Sequence, residues 1–375
     1  MVEYMKNLKY HDLLFISIGH IVGAGIFTLI GYIYEYSKQK TMLSILLGGL
    51  FMYFISNSYS KLPKHFNDNA NLDSDIIKKT FGNNISNIII ICAIIGGIFG
   101  IYLVAKAFGH YFNDLTGLSA EISTIFIIVL CYLLNVSPIS LLAKWNNIIT
   151  IIGLGILILL IIIGFYVYFT DKHKSNFAEY FLFKDYNDFK KNIWNILKGA
   201  FLILFAYFGF QTLVKLNKES VNPKKDIPNA INHSMIIVII IYSLLGFIYA
   251  YTKQSTKNTI KTNVPLTNML ENLIKTNKYN KVITIIGCIF TSNTALLATL
   301  GTSRLLDNKI QIDNNKNVPK NAILIIILGV FILYLLKFNI VKSTNISNLF
   351  TILLLGSVII GLKKLNNENV NNPDK

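Results

Sequence analysis

Charge is scarce in this chain. Only 14% of its 375 residues are Asp, Glu, Lys or Arg, against 53% that are hydrophobic. A soluble domain carries about 25% charged residues, so a soluble fold is excluded, and a mean hydropathy of +0.51 agrees. Cysteine is scarce too: Cys92, Cys131 and Cys288 lie singly inside apolar segments, with neither metal-ligand nor redox spacing, and read as small packing residues. The apolar segments hold almost no carboxylates, and neither a Ser-His pairing nor a His-Glu-x-x-His pattern occurs. An intramembrane enzyme would need such groups, so the chain is not read as an enzyme. Lysine and arginine outnumber the acids to give a net charge of +16, but they are scattered through polar connections. Without a basic stripe or an aromatic-interleaved patch there is no nucleic-acid partner to expect; membrane topology and lipid account for the excess.

What is abundant is apolar length. Ile148 to Phe169 runs 22 residues without a charge, more than the ~20 needed to span a bilayer as a helix. Ten such stretches are expected, near 13–34, 42–59, 85–109, 122–136, 148–169, 193–216, 235–251, 282–300, 321–338 and 346–362. The first follows a polar start (Glu3, Lys6, Lys9, Asp12) and lacks a small-residue cleavage site, so it reads as a retained helix. Three longer polar connections, Ser60 to Asn84, Thr170 to Asn192 and Thr252 to Lys281, are too short for a separate soluble domain. Counting Lys and Arg on alternate sides decides orientation only weakly; the reading adopted places both termini in the cytoplasm.

Two of the ten stretches contain glycine at mid-depth: "GHIVGAGIFTLIG" (Gly19 to Gly31) and "LFAYFGFQTLVKL" (Leu204 to Leu216). Glycine costs about 0.8–1 kcal/mol relative to alanine inside a helix, and non-helical backbone at membrane depth survives only where protein buries it or it lines a cavity. Breaks in the first and sixth stretches suggest two repeats of five helices with opposite topology, residues 1–170 and 171–365, followed by a polar cytoplasmic tail, 366–375. The alternative use of Gly23 and Gly25 is close helix packing, the use assigned to Gly96 and Gly100, four apart in the third stretch.

The same residues carry a family resemblance. "ISIGHIVGAGIFTLIG" (Ile16 to Gly31) resembles the first helix of the amino acid-polyamine-organocation superfamily, and "FAYFGFQTLVKLNKESVNPKKDIPNAI" (Phe205 to Ile231) resembles its sixth helix and following loop. "YSKLPK" and "TLGTSRLL" add weaker agreement. The resemblance implies an amino acid permease: an all-α polytopic membrane protein of ten transmembrane helices, a five-plus-five inverted repeat of the leucine-transporter kind with broken helices 1 and 6. It moves an amino acid or related amine by alternating access. The substrate site it implies comprises Ile21, Val22, Gly23, Ala24, Gly25, Phe205, Ala206, Phe208 and Gly209. The carboxylate would meet free N–H groups at Gly23 to Gly25, where a helix presents its positive end, and the ammonium would meet carbonyls at Ala206 to Gly209, Ile21 and Val22. Tyr207, Phe210 and Glu219 are the expected gating residues, with Asn222, Pro223 and Pro228 sharing the loop.

Departures limit the mechanism. Gln211 stands where many relatives carry an acid, and Gly153 at about the place where proton-coupled members carry a lysine. Exchange or uncoupled transport is therefore favoured over proton coupling. No cofactor is expected; a sodium site built from His20, Thr291, Ser292 and Asn293 is the weaker reading. Many relatives have twelve spans, and the five-plus-five core is complete without the last pair; no oligomeric state is implied. A transporter-like amino acid sensor is the alternative function.

Overall fold

The computed structural model describes residues 8–64, 72–136, 140–172, 175–214, 216–217, 219–255, 263–310, 312–313 and 319–371. The chain is nearly all helical, and among the described residues it has no β-strand, only an isolated parallel bridge between Leu8 and Ser220. Helices α1 (Tyr10–Ile21) and α2 (Ala24–Ser37) are collinear in sequence but separated by Val22 and Gly23. A 3-10 turn, Lys38–Lys40, leads into α3 (Thr41–Tyr59). Next come α4 (Leu72–Thr116), α5 (Ala120–Val136), α6 (Ser140–Thr170), the one-turn α7 (Ala178–Phe181) and α8 (Tyr186–Ile203). After α8 the path tightens into a 3-10 turn at Leu204–Tyr207 before the short α9 (Gln211–Val214). The remainder is α10 (Pro223–Ser255), α11 (Pro265–Ile274), α12 (Asn280–Ile310), α13 (Lys320–Leu335) and α14 (Ile340–Asn371).

Each of the ten expected apolar stretches falls mainly on helix among the described residues, but seven described segments meet the length and composition of a membrane span. They are Ala24–Tyr59, Asp73–Thr116, Thr150–Thr170, Tyr186–Val214, Pro223–Lys253, Asn280–Ile310 and Ile340–Leu365. The counts differ for physical reasons. The turn at Lys38–Lys40 is so tight that α2 and α3 run on as one segment, while α5 and α13 are apolar but only 17 and 16 residues long. The expected polar tail continues α14 as helix to Asn371, and residues 372–375 lie outside the described residues.

The described parts of the polar connections are largely helical. In α11, Leu266, Met269, Leu270 and Leu273 recur at helical spacing and bury one face. Asp185 caps α8 by accepting the Asp188 N–H at 2.8 Å. Asp313 caps α13, accepting from Asn321 and Ala322. The first turns of α4 bury Ile76 and Ile77 and end at Gly82, whose φ of 76° kinks the helix.

α4 is the central pillar, with α5, α12, α13 and α14 packed around it, while α10 packs against α1 and α3 and α2 against α8. The buried core runs through all of them. Outside it, Ile122, Phe126 and Leu133 of α5 and Leu328, Ile332 and Leu335 of α13 are exposed, as expected of a bundle solvated by lipid. Tyr166 and Phe169 stand exposed near the end of α6 and Tyr186 at the start of α8, the position of an interfacial aromatic belt.

Candidate functional site

The break between α1 and α2 is a defined turn. Gly23 N–H donates to Ile21 O at 2.9 Å across Val22, whose φ of −76° and ψ of 83° make an inverse γ-turn. Gly23 itself is extended, φ −127° and ψ −153°. Two side chains hold this turn from outside. Thr294 of α12 accepts the Ala24 N–H at 3.0 Å while donating to Phe290 O at 2.8 Å, and Tyr242 of α10 donates to Ile21 O at 3.2 Å. Helix geometry leaves the first N–H groups of α2 without intrahelical acceptors. Gly23 and Ala24 are served as described, so Gly25 and Ile26 are the donors left at the helix's positive end.

The second break lies beside the first. Phe208 turns extended (φ −71°, ψ 157°), and Gly209 takes φ 125°, a conformation that L side chains rarely adopt. A Cβ on Gly209 would lie 2.3 Å from His20 O, and one on Gly25 would lie 2.4 Å from Ala206 Cα. Glycine at both places is what lets the two backbones touch. Gln211 Oε1 accepts the Gly209 N–H at 2.9 Å. Thr212 donates to Gly209 O at 2.6 Å and lies 2.6 Å from His20 Nδ1. With the hydroxyl proton on that carbonyl, the imidazole proton sits on Nδ1 and donates to Thr212.

Both breaks open on a cavity of about 1260 Å³, its open mouth included. Its walls are Gly19 to Ile21 and Gly23 to Gly25; Ala93, Gly97 and Gly100 of α4; Phe205, Ala206, Phe208, Gly209, Gln211 and Thr212; Asn293 to Leu305 of α12 in part; and Ser347, Thr351 and Leu354 of α14. The lining runs from the breaks toward the end of the bundle where Asp73 lies, hydrogen-bonded by Tyr59. On the other side, Phe27 stacks on Phe290 at 5.2 Å and Tyr111 donates to Phe27 O at 2.7 Å. All three side chains are fully buried and form a closed layer.

The structure thus brings together most of the expected substrate residues: Ile21, Gly23, Ala24, Gly25, Phe205, Ala206, Phe208 and Gly209 all line the cavity. Val22 does not; it is buried. The Ile21 carbonyl is already shared by Gly23 and Tyr242. The expected gating residues are elsewhere. Tyr207 is fully buried, donating to Ile45 O at 3.1 Å, and Phe210 packs edge-on against Tyr59 at 5.7 Å. Glu219 pairs through its backbone carbonyl with Leu8 N–H at 3.0 Å. Of the expected ion ligands, His20 and Asn293 line the cavity, whereas the hydroxyls of Thr291 and Ser292 donate to carbonyls of their own helix. Thr294, the residue that pins the first break, was missed by one position; four successive polar residues carry no mark of which faces the break. Asp73, Thr302, Ser347 and Thr351 were missed because nothing local points them to a shared wall.

The amino acid permease family model matches residues 8–313. The chain is 22% identical over 272 residues to the chloroplastic cationic amino acid transporter 7 of Arabidopsis thaliana, covering 65% of this chain and 44% of the relative. It is 22% identical over 245 residues to the D-serine/D-alanine/glycine transporter of Escherichia coli (strain K12), covering 63% and 51%. The chain therefore spans about half the length of these relatives. Among solved structures, a nucleobase-cation-symport-1 family transporter with bromovinylhydantoin bound superposes with a TM-score of 0.65 at 12% identity, over 95% of this chain and 78% of the other. That likeness concerns the fold.

Proposed function

This chain belongs to the amino acid permease family, and on that premise we propose that it is a secondary carrier that moves an amino acid or related amine across a membrane by alternating access. The observation that carries the reading is the meeting of the α1/α2 break with the Leu204–Phe210 break at the head of one cavity. A zwitterion suits that junction. Its carboxylate takes the N–H groups of Gly25 and Ile26 at the positive end of α2, and its ammonium takes carbonyls released where α1 ends and where the 3-10 turn stops at Tyr207. Phe205 and Phe208, 6.2 Å apart and edge to face, flank the bound molecule.

The architecture proposed for this work is ten crossings in two inverted sets of five, residues 1–170 and 171–365, each set opening with an interrupted helix. The termini are cytoplasmic in this reading, so the cavity faces inward and the Phe27, Tyr111 and Phe290 layer is the closed outer side. Exchange or uncoupled transport fits the fifth crossing, where a Cβ on Gly153 would lie 1.9 Å from Phe290 Cζ. The aromatic ring fills the space that a lysine would need.

Counterflow in proteoliposomes tests the reading. Vesicles loaded with an unlabelled amino acid should accumulate the same radiolabelled amino acid transiently, and empty vesicles should not. Ligand-dependent thermal stabilisation with neither counterflow nor net flux would favour the sensor.

A further inference from the structure

We infer that the cavity selects amino acids whose side chains carry no charge; this rests on the carrier reading above and names its substrate class. Once the two backbone breaks hold the carboxylate and the ammonium, the side chain must lie against the walls supplied by α4, α12 and α14. Those walls are small or apolar over much of their area, with Ala93 and Gly97 on one side and Ala298 and Gly301 on the other, and apart from Asp73 their polar side chains are uncharged, the hydroxyls and the Asn293 amide. An ionised side chain placed there, away from bulk water, needs an opposite charge or several hydrogen bonds to offset its lost hydration.

Near the breaks the described lining offers no side chain of fixed opposite charge. For a cation, its one carboxylate is Asp73, which belongs to the first turns of α4, beyond the Gly82 kink from Ala93 and Gly97, and already accepts from Tyr59. Gln211, beside the second break, offers a ligand a neutral amide whose Oε1 already accepts the Gly209 N–H, and so no charge to balance an ammonium or guanidinium. His20, the other titratable lining residue, carries no negative charge in either protonation state. For an anionic side chain, the described lining contains no Lys or Arg, and its one histidine is engaged through Nδ1 with Thr212. A neutral side chain faces none of these costs.

Thermal unfolding of the purified full chain against alanine, leucine, phenylalanine, arginine, lysine and glutamate provides the test. One or more of the neutral members should raise the midpoint at a concentration about tenfold or more below that needed for arginine, lysine or glutamate. Arginine, lysine or glutamate acting at the same or a lower concentration than every neutral member would overturn the inference and leave the carrier reading standing. A panel with no active member would overturn the carrier reading, and this inference with it. Gln211→Glu supplies a second arm, because its carboxylate still accepts the Gly209 N–H while adding the missing charge. The concentration of arginine relative to the best neutral ligand should fall about tenfold in that variant; an unchanged ratio in a protein that still binds the neutral ligand would show that charge at the second break is not what discriminates.

Discussion

Gly25 and Ala206 approach so closely that a Cβ on Gly25 would lie 2.4 Å from the Ala206 Cα. Residues 181 positions apart in sequence therefore meet backbone to backbone, and both line one cavity. Neither partner is the far end of a flexible side chain, so nothing can swing aside. Gly25→Ala should lower stability by about 1–3 kcal/mol, the usual cost of overpacking, and Gly25→Val more, with uptake falling at least about tenfold. Thermal unfolding and proteoliposome uptake of the same preparations check both.

Gly301 supplies the contrast. It lines the cavity on α12, about 10 Å along the helix from Thr294 at 1.5 Å per residue, and a Cβ there would meet nothing within 4 Å. Gly301→Ala should be neutral or stabilise by up to about 1 kcal/mol through helix propensity. Gly301→Trp should keep the fold but fill the cavity, cutting uptake at least about tenfold while the unfolding midpoint without ligand stays close to that of the unaltered chain.

Gly209 combines a positive φ with a close contact, since an added Cβ would lie 2.3 Å from His20 O. Gly209→Ala should cost about 1–3 kcal/mol from backbone strain alone, and more from the clash. Ligand-induced stabilisation should be lost in step, because the same shift moves the second break away from the first.

Thr294→Val keeps the shape of the side chain but removes the acceptor of the Ala24 N–H. Leaving that buried donor unpaired should cost about 1–3 kcal/mol. Thr294→Ser should recover most of the loss, and calorimetric or fluorescence-detected unfolding of the three proteins separates a lost hydrogen bond from lost packing.

Much of this site was legible in the sequence because glycine at membrane depth has few uses. Gly23, Gly25 and Gly209 sit where the backbone leaves the helix, and the apolar stretches marked the helices that carry them. Direction was harder to read. Tyr207 and Phe210 flank the second break as Phe205 and Phe208 do, but a 3-10 turn followed by extended residues aims them at α3 and Tyr59 instead of the cavity. Aromatic identity alone does not encode that rotation. Thr291, Ser292, Asn293 and Thr294 point in successive directions round α12, and only the tertiary contact distinguishes the last. Gly153 has a tertiary reason, the Phe290 ring in the space beside it. Walls formed by α4 and α14 depend on packing between segments some 250 residues apart, for which a single sequence holds no local signal.

A structure of the full chain in a lipid nanodisc, determined with the amino acid that stabilises it most, tests the central claim most directly. The account predicts the ligand's carboxylate oxygens about 2.7–3.2 Å from the backbone nitrogens of Gly25 and Ile26, with its ammonium turned toward the carbonyls at the end of α1 and beyond Leu204. An amino acid bound away from both breaks, or a carboxylate held by a side-chain cation with the α2 donors facing water, would contradict it.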